Sequence, residues 1–239
     1  MESQDRQALD RDGHAVVKGL TGGEVESFLG RLGRLLPQYD GRIAFEVRPK
    51  AAFDRYRFSQ SMNPIGPHTE APVHDPPPRY LALFCHRQAT CGGGATSLSD
   101  GSAFLAGLPP PLRQAAETMP IEFIASRHPG GPVDRVARFP MLSAGPEGAS
   151  VFRFSHNQFY FGDVNPTAND EGDGNGAAPV MADETVRALA ARGADYFTAH
   201  AVDILIPVGG LLIWDNHRMT HARGPYKDPA RHLTRYWIA

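Results

Sequence analysis

The chain has 239 residues, enough for one sizeable hydrophobic core, and its 24 basic and 26 acidic residues leave a formal net charge of −2. These charges are spread along the sequence without a long run of one sign, which excludes the electrostatic footprint of a nucleic-acid or membrane-surface binder. No stretch approaches the roughly 18 consecutive apolar residues of a membrane span, and the N-terminal MESQDRQALDRDGH lacks the apolar core of a signal peptide, so a cytoplasmic protein is expected.

In chain order, HAVVKGL (14–20) reads as a short strand. GGEVESFLGRLGRLLPQ (22–38) follows as an amphipathic helix, with Val25, Phe28, Leu29, Leu32, Leu35 and Leu36 recurring at three and four spacings. RIAFEVRP (42–49) alternates like another strand. RYLALFCH (79–86), GATSLSD (94–100), IEFIASRH (121–128), VFRFSHNQFYF (151–161), AVDILIPVGGLLIWD (201–215) and HLTRYWIA (232–239) are also strand-like, rich in β-branched and aromatic residues between Gly and Pro clusters. Two further helices are expected, SDGSAFLAGLPPPLRQAAET (99–118) with a proline break, and ADETVRALAARGADYF (182–197) with Asp183 as its cap. This array predicts a single mainly β domain over 1–239, a double-sheet jelly roll with flanking α-helices. The polar GDVNPTANDEGDGNGAAPVM (162–181) is long for a loop, and is expected to be either an active-site lid or a disordered insertion. Cys85 and Cys91 match no usual zinc or redox spacing and are expected to remain thiols.

GPHTEAPVH (66–74) places His68 and Glu70 two apart, so that on a strand both would face one ion. A third ligand must come from elsewhere. His221, in GGLLIWDNHRMTHARGPY, follows an apolar strand that a jelly roll can return beside an early one. Two histidines and one carboxylate, leaving other positions open, form the ligand set of non-haem iron(II) oxygenases. The helical H-E-x-x-H pattern of many catalytic zinc sites is absent. Substrate-side candidates are Arg153, Ser155 and Asn157, which would share one face if 151–161 is a strand, although an aromatic core strand with a polar outer face would look the same. Arg55, Arg57, Ser59 and Asn63 lie just upstream of His68 and carry the same two readings.

HTE (68–70), GGGATSLSDG (92–101), WDNHRMTHARGPY (214–226) and RHLTRYWI (231–238) together resemble the iron(II)- and 2-oxoglutarate-dependent oxygenases of the clavaminate synthase-like and taurine dioxygenase superfamily. The resemblance implies that His68, Glu70 and His221 ligate iron(II), and that Thr96 and Arg231 hold the far carboxylate of the cosubstrate 2-oxoglutarate. It implies that Arg235 faces an anionic group of the primary substrate, although the short spacing from His221 to Arg231 leaves the two arginine roles exchangeable. A planar, permanently charged guanidinium fork suits either carboxylate. Glu70 stands where halogenating relatives carry Gly or Ala, which points to oxygen transfer. The expected reaction consumes O2 and 2-oxoglutarate, releases succinate and CO2, and hydroxylates a small amino-acid-like or natural-product substrate. Two other classes stay open on sequence: a jelly-roll metalloenzyme independent of 2-oxoglutarate, with no use for Thr96 and Arg231, and a non-catalytic ligand-binding member.

Overall fold

The computed structural model describes residues 3–126, 128–168 and 178–239. Its strands are β1 (His14–Val17), β2 (Leu35–Leu36), β3 (Phe45–Val47), β4 (Ile65–His68), β5 (Tyr80–Arg87), β6 (Thr96–Asp100), β7 (Ile121–Ala125), β8 (Arg135–Phe139), β9 (Leu142–Ala144), β10 (Ser150–Phe152), β11 (Val202–Ile204), β12 (Leu211–Asp215), β13 (Met219–Arg223) and β14 (His232–Ile238). Its α-helices are α1 (Ser3–Asp12), α2 (Val25–Gly30), α3 (Gly101–Ala106), α4 (Pro110–Thr118), α5 (His156–Phe161) and α6 (Glu184–His200).

Two antiparallel sheets face one another as a jelly roll. The larger runs β1-β12-β5-β14-β2, with β3 also on β14, and the smaller runs β11-β6-β13-β4. Period-2 alternation divides the larger sheet's side chains between two layers. Leu81, Leu83 and Cys85 of β5, Leu212 and Trp214 of β12, and Leu233 and Trp237 of β14 point inward, where they meet Leu98 and Met219 of the smaller sheet. Tyr80, Ala82, Phe84, Leu211, Ile213, Tyr236 and Ile238 point outward and are covered by Leu9 of α1 and Val25, Phe28 and Leu29 of α2. A third apolar cluster packs α3, α4, α5 and α6 against the β7 region. Local chemistry sets the helix starts. Asp100 accepts from the backbone N–H of Ser102 and Ala103 to cap α3, and Asp183 accepts from Thr185 and Val186 to cap α6. The proline break after α3 is real, since α4 opens on prolines whose missing N–H is no loss in a first turn.

Four expectations need correction. The helix expected over 22–38 is a 3-10 turn and α2 only, because Leu35 and Leu36 leave the helix to pair with Ile238 and Trp237 at a sheet edge. The strand expected over 151–161 stops at Phe152 and gives way to α5. The expected strand over 201–215 is two, β11 and β12, parted by a turn in which Gly209 adopts φ 73°. β4 ends at His68, so Glu70 lies beyond the strand that was expected to carry both ligands. The lid expectation for 162–181 falls in large part on 169–177, outside the described residues. The part before it, 164–168, runs along 55–57 through bonds from Arg57 N to Pro166 O (2.8 Å) and from Ala168 N to Arg55 O (2.7 Å). Among the described residues, no helix is long and apolar enough to cross a membrane.

Candidate active site

Strand register brings together side chains that could hold a metal ion. In the β13–β4 pairing His221 is the direct partner of His68, which sets their ring centroids 4.1 Å apart. Just past β4, Glu70 is fixed through its backbone. Its N–H donates to Asn216 Oδ1 (2.7 Å), while Asn216 Nδ2 donates to the carbonyls of Glu70 (3.1 Å) and Pro78 (2.9 Å). The next residue, Ala71, takes a left-handed φ of 52°, a conformation that strains a non-glycine residue and turns the chain out of the strand. Glu70 Oε2 then lies 3.9 Å from His68 Nε2 and 3.8 Å from His221 Nε2.

These atoms suit a metal ion. Ligand atoms of His68, Glu70 and His221 all lie within 4.8 Å of one another, the spread a single ion can span. His68 Nδ1–H donates to the Gly66 carbonyl (2.9 Å), which fixes the tautomer and leaves Nε2 as the free donor atom. Burial lowers the pKa of His68, and burial together with the neighbouring His68 and Arg235 pushes His221 well below the usual imidazole range. Both shifts favour the neutral imidazole that ligation requires. Glu70 is held from both sides, by Tyr39 Oη at Oε1 (3.2 Å) and Arg235 Nη1 at Oε2 (3.1 Å).

His68, Glu70 and His221 open on a cavity of about 150 Å³ whose lining includes Thr96, Arg231, Arg235 and Asn157. Thr96 is the register partner of Arg223, two residues from His221 on β13. Arg231 is almost fully buried, with Nε donating to Gln88 Oε1 (3.2 Å) and Nη2 to the Gly94 carbonyl (2.8 Å). Its Nη1 is buried without a hydrogen-bond partner. A guanidinium in that position wants an anion, and Thr96 on the same cavity supplies a hydroxyl to go with it. Arg235 is placed differently. Its Nε donates to Gln38 Oε1 (2.8 Å) as its Nη1 meets Glu70, and it stacks over Phe45 and Trp237.

Arg153 does not line the cavity. It is fully buried and donates to the carbonyls of Pro72 (3.1 Å) and His74 (3.3 Å), to Ser143 Oγ (2.5 Å) and to Asp75 (3.2 Å). Those contacts brace the turn that follows Glu70. Arg153→Met is therefore expected to cost about 1–3 kcal/mol through the carbonyls left unmet, with cosubstrate and substrate KM unchanged, as measured by denaturant melts beside kinetics. Asn157 reaches the cavity from α5, not from a strand, and donates to the Val164 carbonyl (3.1 Å).

Other groups, lining the cavity or bonded to residues that do, had weaker signals in the sequence. Gln38 and Tyr39 stand at and just past the end of the helix expected over 22–38, and Asn216 and Arg223 are ordinary polar residues within WDNHRMTHAR. Arg223 donates to the carbonyls of Ser59 (2.9 Å), Phe58 (3.2 Å) and Asn63, tying residues 58–63 to β13. Burial lowers its pKa to about 10, with Arg231 adding to the effect.

The family model described as "Taurine catabolism dioxygenase TauD, TfdA family" matches residues 3–237. No curated protein matches the chain. Asparagine oxygenase in complex with Fe(II), 2S,3S-3-hydroxyasparagine and succinate matches with a TM-score of 0.73 at 19% identity, over 98% of this chain and 78% of that one. The non-heme iron oxygenase OrfP in complex with Fe and alpha-ketoglutaric acid matches with a TM-score of 0.68 at 18% identity, over 99% of this chain and 78% of that one. At these identities the likeness is one of fold. The family match over nearly the whole chain, together with the His-Glu-His group, places the protein in the TauD, TfdA family as an iron(II)- and 2-oxoglutarate-dependent dioxygenase.

Proposed function

We propose that this dioxygenase hydroxylates a small amino-acid-like or natural-product substrate with release of succinate and CO2. The observation that carries the reading is the shared cavity: the His68–Glu70–His221 group opens on the same space as Thr96 and as Arg231, whose Nη1 is buried and unpartnered. In this reading iron(II), held by those three residues, supplies oxygen activation when bound with 2-oxoglutarate. Arg231 and Thr96 orient the cosubstrate by its far carboxylate. Arg235 acts on the ligand set, holding Glu70 in place from one side as Tyr39 does from the other. The apolar lining, including Phe58, Ile65, Leu83 and Ile124, excludes water from the reacting region.

The neighbouring structures contain hydroxylated amino acids, which supports the amino-acid-like class for this chain as well. An enzyme independent of 2-oxoglutarate would have no use for Arg231 Nη1 at this cavity. The test is a screen of free, acylated and carrier-bound amino acids for substrate-dependent succinate formation with iron(II) and 2-oxoglutarate. At least one compound is expected to raise succinate well above the background rate and to gain one oxygen atom by mass. Succinate that never depends on an added amino-acid-like compound would sink the substrate assignment.

A further inference from the structure

One wall of the cavity carries polar atoms for which neither the metal nor 2-oxoglutarate has an evident use. Ser59 Oγ, Asn157 Oδ1 and Arg223 Nε are each buried without a hydrogen-bond partner, and all three residues line the cavity. They are neighbours. Arg223 Nη1 donates to the carbonyl of Ser59 (2.9 Å), and Arg223 is the register partner of Ile65. Asn157 packs on the next residue, Gly66, where an added Cβ would stand 2.9 Å from Asn157 Oδ1. His68, the iron ligand, is two residues further along and bridges to Ser155. The wall therefore adjoins the metal site.

The chemistry of the wall is specific. Asn157 spends Nδ2 on the Val164 carbonyl (3.1 Å), which leaves its Oδ1 as an acceptor without a partner. Arg223 offers a charged donor, and Ser59 a hydroxyl. Arg223 is the cation of this wall, Arg231 and Arg235 stand on the same cavity, and the one carboxylate among the described lining residues is Glu70. 2-Oxoglutarate answers Arg231, and Glu70 is committed to the metal. An ammonium placed here would lie among like charges in a poorly solvated space, whereas a carboxylate would be stabilised.

We infer, on the reading given under Proposed function, that the primary substrate is an amino-acid carboxylate whose nitrogen is acylated, as in an N-acyl or peptide-linked residue. Its carboxylate meets Arg223 Nε and Ser59 Oγ, and its neutral amide N–H donates to Asn157 Oδ1. A free α-amino acid fits this wall poorly, because its ammonium finds an amide oxygen and several arginines where it needs a carboxylate.

The test is calorimetric binding to the full-length protein loaded with iron(II) and 2-oxoglutarate without oxygen. Matched sets are titrated: N-acetyl-L-leucine, N-acetyl-L-valine and N-acetyl-L-phenylalanine, the three free amino acids, and L-leucinamide, a cation without a carboxylate. At least one N-acetyl acid is expected to bind about tenfold or more tightly than its free amino acid, with leucinamide weakest of all. The isosteric Asn157→Asp variant should reverse that order, since the carboxylate of both ligands is repelled alike while only the free amino acid's ammonium gains a counter-charge. Free amino acids binding as well as their N-acetyl partners, no N-acetyl acid binding at millimolar concentration, or an order unchanged in Asn157→Asp would each overturn the inference. The underlying oxygenase reading is tested separately by titrating 2-oxoglutarate into the iron-loaded protein. If 2-oxoglutarate binds and the acyl preference fails, only the substrate class falls; if 2-oxoglutarate itself does not bind, the reading beneath it falls as well.

Discussion

His221→Ala is expected to abolish turnover and to weaken iron(II) binding by more than about 100-fold, beyond the 10–100-fold that loss of a supporting partner alone costs. An open-sided group of three ligands has no spare. The fold should survive, because the ring is packed by Trp214 and His68 and its loss is an ordinary core truncation of about 1–3 kcal/mol. Glu70 behaves differently. Its carboxylate partners the buried Arg235 guanidinium, so Glu70→Ala leaves an uncompensated charge in the interior and is expected to cost about 3–5 kcal/mol. Loss of activity in that variant would confound metal binding with stability. Glu70→Gln leaves the same charge without its counter-ion but keeps an acceptor oxygen for Arg235, so it should destabilise less than Glu70→Ala and is the cleaner probe of metal binding. Iron titration with thermal melts decides the matter, and full activity in His221→Ala would remove that residue from the ligand set.

Arg231→Met is expected to raise the KM for 2-oxoglutarate by about 30-fold to several thousand-fold, the equivalent of about 2–5 kcal/mol for a charge-assisted bond lost inside a dry site. Arg231→Lys should fall between, since an ammonium keeps the charge and loses the fork. The partner variant, Arg235→Met, should act mainly on iron(II) affinity, because its guanidinium supports Glu70 and is anchored by Gln38. Steady-state kinetics over 2-oxoglutarate, together with iron titration of the same proteins, separates the two. The opposite pattern, with Arg235→Met raising the cosubstrate KM and Arg231→Met leaving it alone, would exchange the assignments that the spacing after His221 left open.

The sequence by itself determined the family and the cofactors that go with it. HTE, Thr96, His221 and Arg231 stood in a recognisable order because ligand type and charge are properties of single residues, and the resemblance spanned most of the chain. It also determined elements whose signals are local: the capped start of α6, the proline break before α4, and β5 and β6 between Gly and Pro clusters. It misread 151–161, where α5 is buried from His156 through Tyr160. A helix with no exposed face shows no period of 3.6, so alternating aromatics imitated a strand. The same burial hid the place of Arg153, whose four partners come from the turn after Glu70 and from Ser143.

Tertiary structure alone decided how the named residues combine. Register across β13 and β4 sets His221 against His68, and the Asn216 bridge aims Glu70 back at both after its own strand has ended. It gave Arg235 to Glu70 and left Arg231 Nη1 unpartnered in the cavity, although the two arginines look alike in sequence. The physical reason is the same throughout. A side chain carries its charge and donors with it, but which partner meets them depends on the pairing of distant strands and on burial, and neither is written in the residues beside it.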